Sequence, residues 1–259
     1  MGDTIRLVTL LLALWLAPAE AAEPGAQETV QSDISTREIS IQSNFAGIEI
    51  VIFGSIDFSH TPSPDEGNYD VITVIRSPDE PLVARRKEHV AGIWVNSAGR
   101  TFPGVPGFYA VLATRPFKAI ATEDALKALG IGFANLDLGK RGEDDSKEAA
   151  YRSAVIRLKQ DQNLFEEHDD GVSFIGRSLF RASVDLPVNV PLGRYTTAVY
   201  LFRDGQLISK SESTLEVSQV GFERAVSQLA RNHPFVYGLA AVVIAVVVGL
   251  FGWAAFRRE

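Results

Sequence analysis

The side chains able to act on another molecule are few and scattered. The four histidines, His60, His89, His168 and His233, show no HxH or HxxxH spacing, so no two of them share one strand face or one helical turn. The densest set of donor atoms is Glu166-Glu167-His168-Asp169-Asp170. A solvated turn before Gly171 explains that composition as well as a cation does, and no metal is assigned to it. The chain has no cysteine, which removes thiol catalysis, Cys-ligated metal and a lipid-modified cysteine anchor. GxSxG, HExxH, Walker and GxGxxG patterns are absent too. With no general acid, base or nucleophile in a recognisable setting, the sequence points away from an enzyme. It assigns no catalytic residue and calls for no cofactor.

One block stands apart. Between Gly92 and Arg115, Trp94, Phe102, Phe108 and Tyr109 alternate with Arg100 and Arg115. Aromatics beside arginines are what interface hot spots use, and two guanidinium groups suit an anion. Trp94, Arg100, Tyr109 and Arg115 are therefore the candidate binding residues of a small-anion site. The competing expectation is that Trp94 and Phe108 fill a core while Arg100 tips a solvated loop. Arg85-Arg86-Lys87 fits a charged edge strand that blocks sheet-to-sheet aggregation.

The elements that must position these residues are mainly β. Ile39 and Ile41, then Ile48, Ile50 and Ile52, alternate about Asn44 and Gly47, predicting a hairpin-like unit that ends at Gly54. Tyr69–Arg76, Leu82–Val90 with Gly92–Asn96, and Phe108–Thr114 follow as strands, separated by the turn-rich Ser59–Asn68 and Phe102–Gly107. A helical interlude comes next. Thr122 caps a short helix stopped by Gly130, and Asp145 with Glu148 has capping-box spacing before a helix with Tyr151, Val155, Leu158 and Phe165 on one face. Strands resume at Val172 and include Leu179–Leu186, Arg194–Arg203 and Thr214–Val217, with Asp204-Gly205 as the hairpin turn to Gln206–Lys210. The expected fold is mainly β: an immunoglobulin-like sandwich, in one or two regions, with a helical insertion and a C-terminal transmembrane helix. The expected divisions are a β-domain over 23–118, the interlude over 119–168, a second β-region over 169–218 and a juxtamembrane helix over 219–233.

Both ends speak of a membrane. Arg6, an apolar core from Leu7 to Ala17 and the Ala19-Glu20-Ala21 triplet describe a secretory signal peptide over 1–22. Phe235–Phe256 has no ionisable side chain and, as a helix, spans about 33 Å, enough for a bilayer's hydrocarbon core. Arg257 and Arg258 put the tail 257–259 in the cytoplasm by the positive-inside rule, and the signal puts the body in the periplasm. The net charge of −7 argues against nucleic acid and against docking on anionic headgroups. Within the span, Ala241, Ala245 and Gly249 recur every four residues, opposite Val243, Val247 and Leu250, as a helix-packing face.

Several landmarks bear a family likeness: ISIQSNFAGIEIVIFG, GIWVN, VPGFYAV, LFRASVDLPVNVPLGRYTTAVYLFRDG, GFERAV and YGLAAVVIAVVVGLFGW. In that order they resemble a family of alphaproteobacterial single-pass transmembrane proteins with a signal peptide, a periplasmic β-rich domain and a C-terminal span. The resemblance covers nearly the whole mature chain and brings no catalytic residues. It implies an inner-membrane location and an accessory role beside an exporter-like permease. The expected partners are thus the bilayer and an integral-membrane permease or a second copy of the chain.

Overall fold

The computed structural model describes residues 28–42, 45–57, 69–139, 145–219 and 222–257. The signal segment at 1–22, the polar loop at 59–68 and Arg258 lie outside the described residues.

The fold is mainly β, with a C-terminal apolar helix. One sheet has four antiparallel strands in the order β1 (Thr29–Ile34), β3 (Ile48–Asp57), β10 (Leu179–Leu186) and β9 (Val172–Ile175). The other has six, ordered β2 (Glu38–Ile41), β12 (Gln206–Gln219), β11 (Gly193–Arg203), β4 (Tyr69–Arg76), β7 (Tyr109–Ala113) and β8 (Phe165–His168). Its inner pairs are antiparallel, and its two outermost pairs, β2 with β12 and β7 with β8, are parallel. Strands β5 (Asp79–Val90) and β6 (Ile93–Pro106) pair with each other as a separate long hairpin.

The period-two alternation of β3 and β10 decides which face they bury. Ile50, Ile52 and Ile56 point inward with Phe180, Ala182, Val184 and Leu186, while Phe53 and Leu179 stay exposed. Gly54 lies inside β3 rather than ending it. A Cβ there would sit 2.3 Å from the Gln31 carbonyl oxygen and 2.5 Å from the Phe180 ring, so the close approach of β1 and Phe180 requires glycine. Strands β4, β7 and β11 read as nearly continuous apolar runs because both their faces are covered.

A helical insert of α1 (Phe117–Ile120), α2 (Glu123–Leu129) and α3 (Asp145–Asp161) follows β7. As expected, the Thr122 hydroxyl accepts from the Ala125 N–H at 3.3 Å, and Gly130 closes α2 at φ 65°. The insert packs on β7 and β8 through Tyr109, Phe133 and Phe165, whose ring centroids lie 5.9 to 6.1 Å apart.

Two further expectations are corrected. The isoleucines of 39–41 and 48–52 do not form a hairpin: β2 joins β12, where Arg37 accepts from the Glu216 N–H, and β3 is held between β1 and β10. Phe165 is not on the face of α3. The chain turns at Asn163 with φ 55°, Phe165 opens β8, and Leu158 is exposed while Val155 is buried.

Pairing also fixes which ends of the strands lie together. Arg76, Thr196 and Thr214 share one row across β4, β11 and β12. Because β4 and β12 run in the same direction on either side of β11, they leave the sheet at the same end. From that end β4 feeds the β5–β6 hairpin, and β12 leads toward α4 (Phe222–Asn232) and α5 (Pro234–Phe256). The Asp204-Gly205 turn lies at the opposite end.

Candidate functional site

The four candidate anion-binding residues occupy four separate settings. Trp94 stands near the tip of the long hairpin, 70% exposed, its ring edge-on to His89 with centroids 5.1 Å apart. Arg100 sits farther down β6 and donates to Glu148 of α3 at 2.7 Å, tying the hairpin base to the insert. Tyr109 is buried: its hydroxyl donates to the Gly130 carbonyl at 3.2 Å and accepts from the Gly132 N–H at 3.1 Å. Burial pushes its phenol up from the usual range, so it stays neutral. Arg115 grips both oxygens of Asp70 at 2.6 Å, and that pairing raises the guanidinium pKa further. Both arginines thus hold carboxylates, and an anion would have to displace them. Phe108 fills the core, with its ring 6.1 Å from Tyr195.

The polar contacts invisible from sequence spacing are structural. Asp70 lies in the apolar strand β4, its side chain 4% exposed, and takes Thr114 as a third donor at 3.0 Å. A carboxylate inside a strand covered on both faces demands a cation, which is the one signal that could have predicted its partner. At the same end of the sheet, the buried Glu28 carboxylate accepts from the Tyr69 hydroxyl and from Arg203. Arg152 of α3 donates to the carbonyls of Phe133 and Leu136. Lys159 donates to the Gly107 carbonyl at 3.1 Å, and burial holds its ammonium below the ordinary lysine range.

Residues 167–170 of the acidic run border a cleft of about 810 Å³, also lined by Phe117, Lys118 and Lys127. There Glu167 accepts from the Phe133 N–H at 2.5 Å, and its carboxyl is held above the usual range, first by burial and then by Asp169. His168 turns to Glu166 at 3.3 Å. Among the described residues no three His, Asp or Glu side chains are grouped to hold a metal ion. The Phe133 N–H thus ties Glu167 of the acidic run to the neighbouring insert.

Helix α5 is 23 residues long, opens on Pro234, and shows almost its whole surface, with none of its apolar window buried. A core helix of a soluble protein would be covered; this one matches a bilayer in length and composition. Ala241, Ala245 and Gly249 are exposed along it, and a Cβ at Gly249 would meet nothing within 4 Å. At its C-terminal end Arg257 lies over the Trp253 ring, 4.5 Å from the centroid, the amphipathic pairing found at membrane interfaces.

No curated protein matches the chain. Among solved structures it is similar to the sporulation control protein Spo0M of Bacillus subtilis, at 9% identity and a TM-score of 0.29, covering 80% of this chain and 56% of that one. A family model matches residues 29–258, which include the apolar helix, and the chain belongs to that family, described as "Putative transmembrane protein (Alph_Pro_TM)".

Proposed function

We propose that this protein is a non-enzymatic accessory subunit of a bacterial inner-membrane complex. In this reading α5 anchors a periplasmic β-rich body, the tail after Arg257 is cytoplasmic, and the partner is an integral-membrane permease. The observation that carries it is the open ridge on α5: Ala241, Ala245 and Gly249 present a narrow face that none of the described residues covers. Small side chains let another helix approach closely enough for backbone-level packing in lipid. The body supports a role without chemistry, since the arginines Arg100, Arg115, Arg152 and Arg203 are all spent on carboxylates or carbonyls of the fold.

The test is purification of the full-length protein in mild detergent after brief crosslinking in its own membrane, with every co-purifying chain identified. A polytopic permease in stoichiometric amount is expected. Replacing Ala241, Ala245 and Gly249 together with leucine is expected to lower its recovery by about tenfold. Recovery of this chain alone would point to self-association, and an unchanged yield from the triple variant would remove α5 as the contact.

A further inference from the structure

We propose that the tip of the β5–β6 hairpin is a second membrane contact, dipping into the anionic headgroup layer of the bilayer that α5 spans. The tip is built for exposure. Ala91 at φ 50° and Gly92 at φ 85° form a two-residue turn with both central residues left-handed. The last two rungs pair Val90 with Ile93 and His89 with Trp94. Directly paired residues share a face, so the aliphatic pair covers one face and the tryptophan the other. Val90, Ile93 and Trp94 are 51%, 63% and 70% exposed. A protein groove would call for one apolar face; apolar side chains on both faces suit a surrounding that is apolar all round.

Charge and position agree. Behind the tip come exposed Arg85, Arg86 and Lys87, and between Leu82 and Arg100 the only carboxylate is Glu88. The chain's net −7 therefore reverses sign locally, and a cationic cluster beside a tryptophan is what attracts and seats a segment at an anionic interface. The hairpin leaves the six-stranded sheet at the end from which β12 leads to the anchor. From half-buried Leu82 to Val90 it reaches about 26 Å, more than the roughly 16 Å length of α4 that separates the sheet from the span. Tethering by α5 keeps the tip near lipid, so even a weak contact is populated.

The contact needs no partner protein, so its test is independent of the accessory-subunit reading. The chain has no cysteine, so Ile93→Cys gives a single labelling site on full-length protein reconstituted in vesicles of phosphatidylglycerol and phosphatidylcholine. Leu207→Cys, next to the turn at the opposite end of the sheet and 42% exposed, is the control. A polarity-sensitive dye at position 93 is expected to shift to the blue and to be quenched by nitroxide lipids at about 5–10 Å depth, severalfold more than at 207. Quenching is expected to fall in pure phosphatidylcholine and in the Arg85→Ser, Arg86→Ser, Lys87→Ser variant. A water-exposed dye at 93 in anionic vesicles would overturn the proposal. So would a blue shift without lipid quenching, which would mean that a second copy covers the tip. Val90→Cys repeats the measurement on the facing strand.

Discussion

The two long hairpins, β5–β6 and β11–β12, begin from the same local chemistry and end in opposite environments. Each turns through two left-handed residues, Ala91-Gly92 in one and Asp204-Gly205 in the other. Each carries a short stretch in which aliphatic and aromatic residues alternate, Ile93-Trp94-Val95 in one and Val199-Tyr200-Leu201-Phe202 in the other. Yet β11 is flanked by β4 and β12 and buries Val199, Leu201 and Phe202 completely, whereas β5 and β6 pair with each other and leave Trp94 and Ile93 in solvent. What separates them is the company each strand keeps. Turn chemistry fixes that a hairpin forms; neighbouring strands decide whether it becomes core or probe.

The sharpest way to break that contrast is to remove one large aromatic from each. Phe202→Ala empties a fully buried site across from Asp70 and Leu207 and is expected to cost about 3–5 kcal/mol. Trp94→Ala, on the exposed tip, is expected to stay within about 0.5 kcal/mol of wild type. Denaturant midpoints of the full-length protein in detergent measure both. A Trp94→Ala loss near that of Phe202→Ala would mean the tip packs on the body, and the hairpin would no longer be a probe.

A smaller difference is expected from two ion pairs, one on the strand beside β11 and one at the base of β5–β6. Arg115 neutralises Asp70 where β4 faces Phe202, and Arg115→Ala strands a buried carboxylate, at about 2 kcal/mol for its lost charged hydrogen bonds. Arg100 joins the projecting hairpin to α3 from a third-exposed position, and Arg100→Ala is expected to cost less than about 1 kcal/mol. Equal losses would show that the Arg100 contact holds its partner as firmly as Arg115 holds Asp70.

These contrasts also mark what the sequence could tell. Strand periodicity located β3, β4, β10 and β11, and the Asp204-Gly205 and Thr122–Gly130 signals placed a hairpin and a helix where they are found. The span was legible because twenty-odd apolar residues without a charge have no other common home. Partnership was not. Alternation in Ile39–Ile52 is the same whether the strands pair with each other or with β12 and β10, because the period reports which face is buried and not against what. Trp94 and Phe108 illustrate the same limit: both are aromatics beside strand positions, yet one is 70% exposed and the other fully buried. For the candidate site, residue types suggested an arginine cluster. The carboxylates that consume those arginines, Asp70 and Glu148, lie 45 and 48 positions away, beyond any local pattern.

The finest distinction between the hairpins lies in the turns themselves. Asp204 takes φ 50° with a side chain that tolerates the left-handed region, while Ala91 takes the same φ without that help. Ala91→Asn is therefore expected to stabilise the β5–β6 tip by about 0.5 kcal/mol, and Asp204→Ala to loosen the other turn by a similar amount. A global midpoint would miss the first effect, because the exposed rungs at the tip open without unfolding the sheets. Amide hydrogen exchange at the Val90–Ile93 rung is the suitable readout: slower exchange in Ala91→Asn, with protection in β11 unchanged, is the expected result. If the substitution instead protected β11 to the same degree, the tip and the central sheet would open as one unit, and the division drawn between them would fail.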